Sequence, residues 1–227
     1  MENFVVVVNF FQSGGIFMYP ILLTLALGTA IIIERLVYLS KAKVSEKVLW
    51  QKVKAAVAGG RLKEAVQFCE GSRAPLCQVL KSGLEKIHGP WSQEELRGSM
   101  EEVILEAVPA LERRTHYLPT LANVATLLGL LGTIIGLIQA FSAVAAVDPS
   151  QKAALLSKGI SVAMNTTAFG LIVAIPIMLC YSFLLSKTHK IIEGIDEITT
   201  KFLNLMTTQE RGQAERGKGV AAAAKTF

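Results

Sequence analysis

Hydrophobic positions along this chain gather into three long stretches, separated by segments in which apolar and charged residues alternate with helical spacing. Asn3 to Ile33, Tyr117 to Val147 and Gly159 to Ser186 contain no Asp, Glu, Lys, Arg or His. Each matches or exceeds the roughly 20 apolar residues that cross a bilayer as a helix. Gly14, Gly15 and Pro20 divide the first stretch into an amphipathic lead-in over 1–15 and a membrane helix over 16–39. The pattern predicts an all-α integral membrane protein with transmembrane helices at 16–39, 117–147 and 159–186, the last two joined by a short loop at 148–158.

Between the first and second spans, residues 40–116 read as a helical domain. Ser45 is placed to cap a helix that runs to Ala58 and stops at Gly59 and Gly60, and shorter helices are predicted over Arg61–Glu70 and Pro75–Ile87. Ser92 with Glu95 forms a capping box. The helix it opens is expected to run through Leu111 and Tyr117 into the second span, bent but not ended by Pro109 and Pro119. At 1.5 Å per residue, Ser92 to Val147 would measure on the order of 80 Å. The third span is expected to continue as a helix over 187–210, where Ile191, Ile195, Ile198, Phe202 and Leu205 recur at heptad spacing. That seam requires a partner, either the stalk of the same chain or a second subunit. Residues 211–227 turn to Gly, Ala, Lys and Arg and read as a disordered tail.

Composition agrees with this layout, since hydrophobic residues make up 52% of the 227 and the mean hydropathy is +0.45. Charge then sets an orientation. No Lys or Arg precedes Arg35, whereas Lys41 to Arg114 holds thirteen and Lys187 to Lys225 seven, against two in the 148–158 loop. The positive-inside rule puts the middle domain and the C-terminus in the cytoplasm, with the N-terminus and the short loop outside. The first apolar segment lacks the basic flank and small-residue cleavage site of a signal peptide and is expected to remain in the mature protein. Nucleic-acid binding is a poor explanation of the net charge of +5, because ten acidic residues are mixed among the basic ones of the middle segment and no aromatic-basic platform is present.

Little in the sequence supports enzyme chemistry or a bound cofactor. Cys69, Cys77 and Cys180 fit neither a zinc site nor a redox motif and read as free, buried thiols. His88, His116 and His189 are scattered without ligand spacing, which argues against a metal. The informative chemistry lies within the apolar spans. Thr126, Gly129, Thr133, Gly136 and Ala140 share one helical face, Gly132 and Gly136 form a small-xxx-small pair, and Ala163, Thr167, Gly170 and Ala174 line a matching face in the third span. Such stripes serve either hydrogen bonding between packed helices or a wet, ion-conducting interface. Spacing alone leaves both open.

Several segments in this order, FFQSGGIFMYPIL, IIIERLVYL, LERR, ATLLGLLGTIIGLIQAF and GISVAMNTTAFGLIVAIP, resemble the MotA/TolQ/ExbB proton-channel family over almost the whole chain, with the N-terminal lead-in closer to ExbB than to TolQ. The resemblance implies a pentamer of this subunit around a dimer of a single-span ExbD-like or TolR-like partner, whose membrane Asp takes up and releases the ion. It implies work on a TonB-type outer-membrane uptake system from the bacterial inner membrane. Carried onto this chain, the family's pore threonines fall on Thr133 and Thr167, with Thr126, Asn165 and Thr166 as neighbouring polar groups. Where ExbB and TolQ members typically have Glu, this sequence has Val162, and Thr126 stands where Ala-Pro is common. The second and third spans contain no Asp, Glu, Lys, Arg or His, so if protons pass, the titrating carboxylate must come from another chain. Glu34 and Arg35 close the first span and read as a snorkelling boundary pair; their match to the family's motif allows a structural tie to Glu112 or Arg113, and Glu112, Arg113 and Arg114 are expected to flank the cytoplasmic mouth. A TolQ-like envelope or gliding-motor subunit, and a passive membrane scaffold, are the competing readings.

Overall fold

A computed structural model describes residues 14–72, 74–87, 89, 91–145 and 148–223, with side chains through Glu210. The lead-in before Gly14, His88, Val147 and the last four residues lie outside the described residues. Among those described, every regular element is a helix: α1 Met18–Ala42, α2 Glu46–Ala58, α3 Leu62–Glu70, α4 Pro75–Lys86, α5 Gln93–Glu112, α6 Tyr117–Ala145 and α7 Pro149–Ala223. Three of the helical stretches are long and apolar enough to cross a membrane.

Local chemistry accounts for most of the boundaries. Ser92 accepts the Glu95 backbone N–H at 3.2 Å and so starts α5. Pro75 stands at the first turn of α4, where its missing N–H costs nothing. Ser45 occupies the N-cap of α2 without a side-chain cap bond, and Gly59 closes that helix, its N–H returning to the Ala55 carbonyl at 3.0 Å.

Three expectations change. The long helix through residues 113–116 is interrupted: Arg113 is extended (ψ 134), and Arg114 takes a left-handed φ of 63. Pro119 therefore lies in the first turn of α6, where no intrahelical bond is lost, and it kinks nothing. Pro109 sits inside α5 without ending it. The third apolar helix starts at Pro149, so helix replaces nearly all of the expected 148–158 loop. Asp148 followed by Pro149 is a helix-start signal that the charge-based boundary overlooked. At its other end α7 continues to Ala223, so most of the segment expected as a disordered tail is helical in backbone.

The chain divides into two compact units. One comprises residues through Leu36 and Arg114–Leu185. Its interior is formed by Met18 and Ile21 of α1, Leu118, Ala122, Ala125 and Ala140 of α6, and Ala163, Val173, Ala174, Ile177 and Leu184 of α7. Small residues dominate the contact between α6 and α7. Conversely, Leu127, Leu130, Ile134, Ile138 and Phe141 on α6, and Met164, Ile172, Ile175, Leu179 and Phe183 on α7, are exposed. Only 28% of each apolar window is buried within the chain, so most of this surface must be covered by lipid or by other polypeptides.

The second unit comprises Val37–Arg113 and the chain from Ser186 onward. Leu49 and Val53 of α2, Ala65 of α3, Leu76, Val79, Leu80 and Leu84 of α4, and Leu96 and Met100 of α5 enclose Ile195, Ile198 and Phe202 of α7. A Cβ added at Gly83 would lie 2.9 Å from both Met100 Sδ and Phe202 Cε1, which fixes where α4, α5 and α7 meet. The heptad seam thus packs within its own chain, settling the choice of partner for these positions. Its last member is Met206, 2% exposed, in place of the half-buried Leu205.

Candidate functional site

The polar positions of the apolar unit sit on a contact that brings α6 and α7 to backbone distance. A Cβ at Gly170 would lie 2.7 Å from the Ala125 carbonyl oxygen and 3.2 Å from the Gly129 Cα, while one at Gly129 would lie 3.3 Å from the Thr167 Cα. Gly136 faces Ala163 at 3.2 Å in the same sense. Small residues permit this approach in an environment where no hydrophobic drive brings helices together. Gly129, Gly132, Gly136 and Gly170 are all buried, and each has a close neighbour on another segment.

At the edge of that contact two of the threonines singled out in the sequence meet. Thr133 and Thr167 are half-buried, and their hydroxyls hydrogen-bond to each other. Thr133 Oγ1 also donates to the Gly129 carbonyl at 3.1 Å, and Thr167 Oγ1 reaches the same carbonyl at 2.9 Å. Two hydroxyl protons and one shared carbonyl leave lone pairs on the threonine oxygens that are able to accept a further donor or a cation. No group in this cluster titrates near neutral pH.

The other sequence-predicted positions separate from this pair. Thr166 is only 1% exposed; its hydroxyl donates to the Gly14 carbonyl at 2.6 Å and approaches the Val162 carbonyl at 2.9 Å. It therefore anchors the start of the chain's described part. A Cβ at Gly132 would contact both Thr166 and Phe17, so Gly14–Phe17 and the middle of α6 close over the same residue. Val162, where the family resemblance anticipates Glu, lies beside Gly15. Asn165 is half-buried. Thr126 is exposed, donates to the Ala122 carbonyl at 3.1 Å, and lines a groove of about 340 Å³ with Leu171, Ala174, Ile175, Met178, Leu179 and Ser182. It lies two helical turns, about 10 Å, from Thr133.

At the charged boundary of this unit, Arg114 Nη1 donates to both carboxylate oxygens of Glu34 at 2.7 Å. The expected tie from the end of the first span is thus made by Arg114, where Glu112 or Arg113 was anticipated. Glu112 and Arg113 are exposed. Arg35 is 2% exposed and belongs to the interior. Sequence reasoning missed the Thr166–Gly14 bond and the identity of the Glu34 partner, because both depend on which residues the fold brings together over 152 and 80 positions.

Comparison with known proteins adds independent information. A profile of the MotA/TolQ/ExbB proton channel family matches residues 72–197. The chain is 32% identical over 194 residues to a protein of Methanothermobacter thermautotrophicus provisionally named as a biopolymer transport protein ExbB homolog, covering 85% of this chain and 66% of that protein. It is 29% identical over 178 residues to the biopolymer transport protein exbB1 of Vibrio cholerae, covering 73% of each. A third relative, the Tol-Pal system protein TolQ of Haemophilus influenzae, is 28% identical over 149 residues, covering 63% of this chain and 65% of its own. With more than half of the chain inside the profile match, and with the three apolar helices and the ordered motifs in agreement, the chain belongs to the MotA/TolQ/ExbB proton channel family.

Proposed function

We propose that this chain is a ring-forming subunit of an inner-membrane motor that couples an ion gradient to movement of a single-span partner carrying a membrane carboxylate. The observation that carries this reading is the Thr133–Thr167 hydroxyl pair, drawn together over the Gly129 carbonyl in apolar stretches that contain no Asp, Glu, Lys, Arg or His. Oxygen lone pairs at that point suit a protonated carboxyl, which donates one hydrogen bond, or a bare cation, which needs several oxygens. A permanent charge at mid-membrane costs roughly 2.5 to 3.5 kcal/mol on insertion scales, so the titrating acid belongs on a separate chain that can move.

On this reading an ion enters from the outer side, neutralises the partner carboxylate beside Thr133 and Thr167, and lets the partner step. Each elementary charge falling through 100 mV delivers about 2.3 kcal/mol. Residues 40–116 and 187–210 lie in the cytoplasm and the N-terminus outside, as the basic residues direct. The partner is an ExbD-like or TolR-like dimer, the ring is a pentamer, and the work is delivered to a TonB-type outer-membrane transport system.

The test is the double variant Thr133→Val with Thr167→Val, which preserves side-chain volume and removes both hydroxyls. Proton or sodium flux in liposomes, measured with a candidate single-span partner, should fall to the level of the partner-free sample while the oligomer persists on size-exclusion chromatography. Unchanged flux would remove the pore assignment. A TolQ-like role in the envelope is the second reading, favoured by the similarity to the Haemophilus influenzae protein. The adjacent reading frame distinguishes the two through the periplasmic part of the partner it encodes.

A further inference from the structure

We propose that a groove between α5 and α7 in the charged unit is the docking site for α2 of a neighbouring copy of this chain. The inference rests on the ring reading given above and adds to it the surface through which the charged units of adjacent subunits meet. The groove encloses about 530 Å³ and runs from Gln93 to Leu105 on α5 and from Asp196 to Asn204 on α7. Leu105 stands 75% exposed at its edge, whereas Thr199 in its wall is only 7% exposed, with a hydroxyl that has no hydrogen-bond partner among the described residues. Buried hydroxyls are ordinarily paired, so this wall lacks a partner that the single chain does not supply.

Charge identifies the occupant. Arg97 is the one basic residue lining the groove, and its Nε is already hydrogen-bonded to Glu101. Asp196, across from it on α7, is exposed and has no ion-pair partner among the described residues. Over its whole length α5 carries six glutamates against that single arginine. An occupant must bring positive charge on a face smooth enough to lie along two helices. The outer side of α2 has both properties. It presents Lys47, Lys52 and Lys54, while the one acid of the helix, Glu46, is half-buried with its carboxylate over Gly194 of α7. Val48, Gln51, Ala55 and Ala58 recur on that exposed side at helical spacing and form a mostly short-chained stripe, bordered by Lys47 and Lys54.

Dimensions and symmetry agree with this pairing. Gln93 to Leu105 covers about 18 Å of α5, and the 13 residues of α2 measure about 20 Å. Within its own chain α2 is committed to the core through Leu49, Val53, Ala56 and Val57, which leaves the lysine side outward and makes the contact one between copies. A closed ring of more than two subunits pairs one face of each copy with a different face of the next. The charged unit holds both faces.

The test co-expresses two differently tagged full-length copies in one membrane, one with Ala55→Cys and the other with Thr200→Cys, both at exposed helical positions. Oxidation with copper phenanthroline should give a dithiothreitol-sensitive dimer bearing both tags, well above the level from either variant paired with wild type. Asp196→Lys in the Thr200→Cys copy should lower that mixed dimer severalfold, and Lys47→Glu with Lys54→Glu in the other copy should restore it, a rescue that damage to the fold would not allow. Amine-reactive crosslinking of the wild type in the same membranes reads the oligomer separately. Oligomers without the mixed disulfide, a mixed disulfide indifferent to the charge reversals, or an equal yield from two Thr200→Cys copies would overturn the docking proposal and leave the ring standing. A wild type that yields no oligomer at all removes the ring reading and the docking site with it.

Discussion

Thr166 on α7 donates its hydroxyl to the carbonyl oxygen of Gly14, 2.6 Å away and 152 positions earlier in the chain. The side chain is 1% exposed, so the bond is shielded from competing solvent. Thr166→Val keeps the shape and strands a buried carbonyl, at a cost of about 1–3 kcal/mol. Thr166→Ser retains the donor and should lie closer to the wild type. Denaturant titration in detergent micelles reads the difference, and equal losses for the two variants would show that the hydroxyl is not what holds Gly14.

Gly170 and Gly98 make a matched pair of opposite sign. A methyl at Gly170 would meet the backbone oxygen of Ala125 at 2.7 Å, where neither side can yield without separating α6 from α7. Gly170→Ala should therefore destabilise by about 1–3 kcal/mol through overpacking. Gly98 lies in the exposed interior of α5 with nothing within 4 Å of an added Cβ. Gly98→Ala should stabilise by up to about 1 kcal/mol from helix propensity alone. Thermal melts of the two variants side by side check both signs.

The register of the α7 seam is tested by neighbouring truncations. Met206 is 2% exposed and Leu205 half-buried. Met206→Ala should cost about 2–5 kcal/mol, in the range for a buried large-to-small change. Leu205→Ala should cost clearly less, and the reverse order in unfolding experiments would restore the strict heptad reading.

Arg114 combines an ion pair with an unfavourable backbone. Its φ of 63 is the one positive value at a non-glycine residue among the described residues, and its link to Glu34 is close to half-exposed on both sides. Left-handed geometry costs a side-chain-bearing residue about 1–2 kcal/mol, whereas an exposed salt bridge contributes about 0.2–1 kcal/mol. Arg114→Gly should consequently leave stability unchanged or slightly raised, while Arg114→Ala, which keeps the strain and loses the pair, should lower it. Melting temperatures of the two variants decide between them.

How much could be read in advance follows from where the information resides. The first two apolar stretches, the Ser92 cap, Pro75 and Gly59 are local signals, and the helix ends they mark agree with expectation to within a few residues. The break at Arg113 and Arg114 has no local marker of that kind, since neither Gly nor Asn stands there and its visible partner, Glu34, lies 80 positions away. Thr166 and Thr167 illustrate the same limit. Adjacent in sequence and alike in chemistry, they point about 100° apart on a helix, so one meets Thr133 and the other meets Gly14. Periodicity assigned Thr167 to the correct face; only the folded lead-in revealed what Thr166 touches.

The touching backbones at Gly129 and Gly170 leave no lumen between α6 and α7. A single copy therefore presents a closed helix contact there with the Thr133 and Thr167 oxygens at its edge, so a conduit of the proposed kind would be completed by a surface from elsewhere. On the proposed reading, transport competence would then be a property of assembly, with the close helix contact itself acting as the barrier in an unassembled copy.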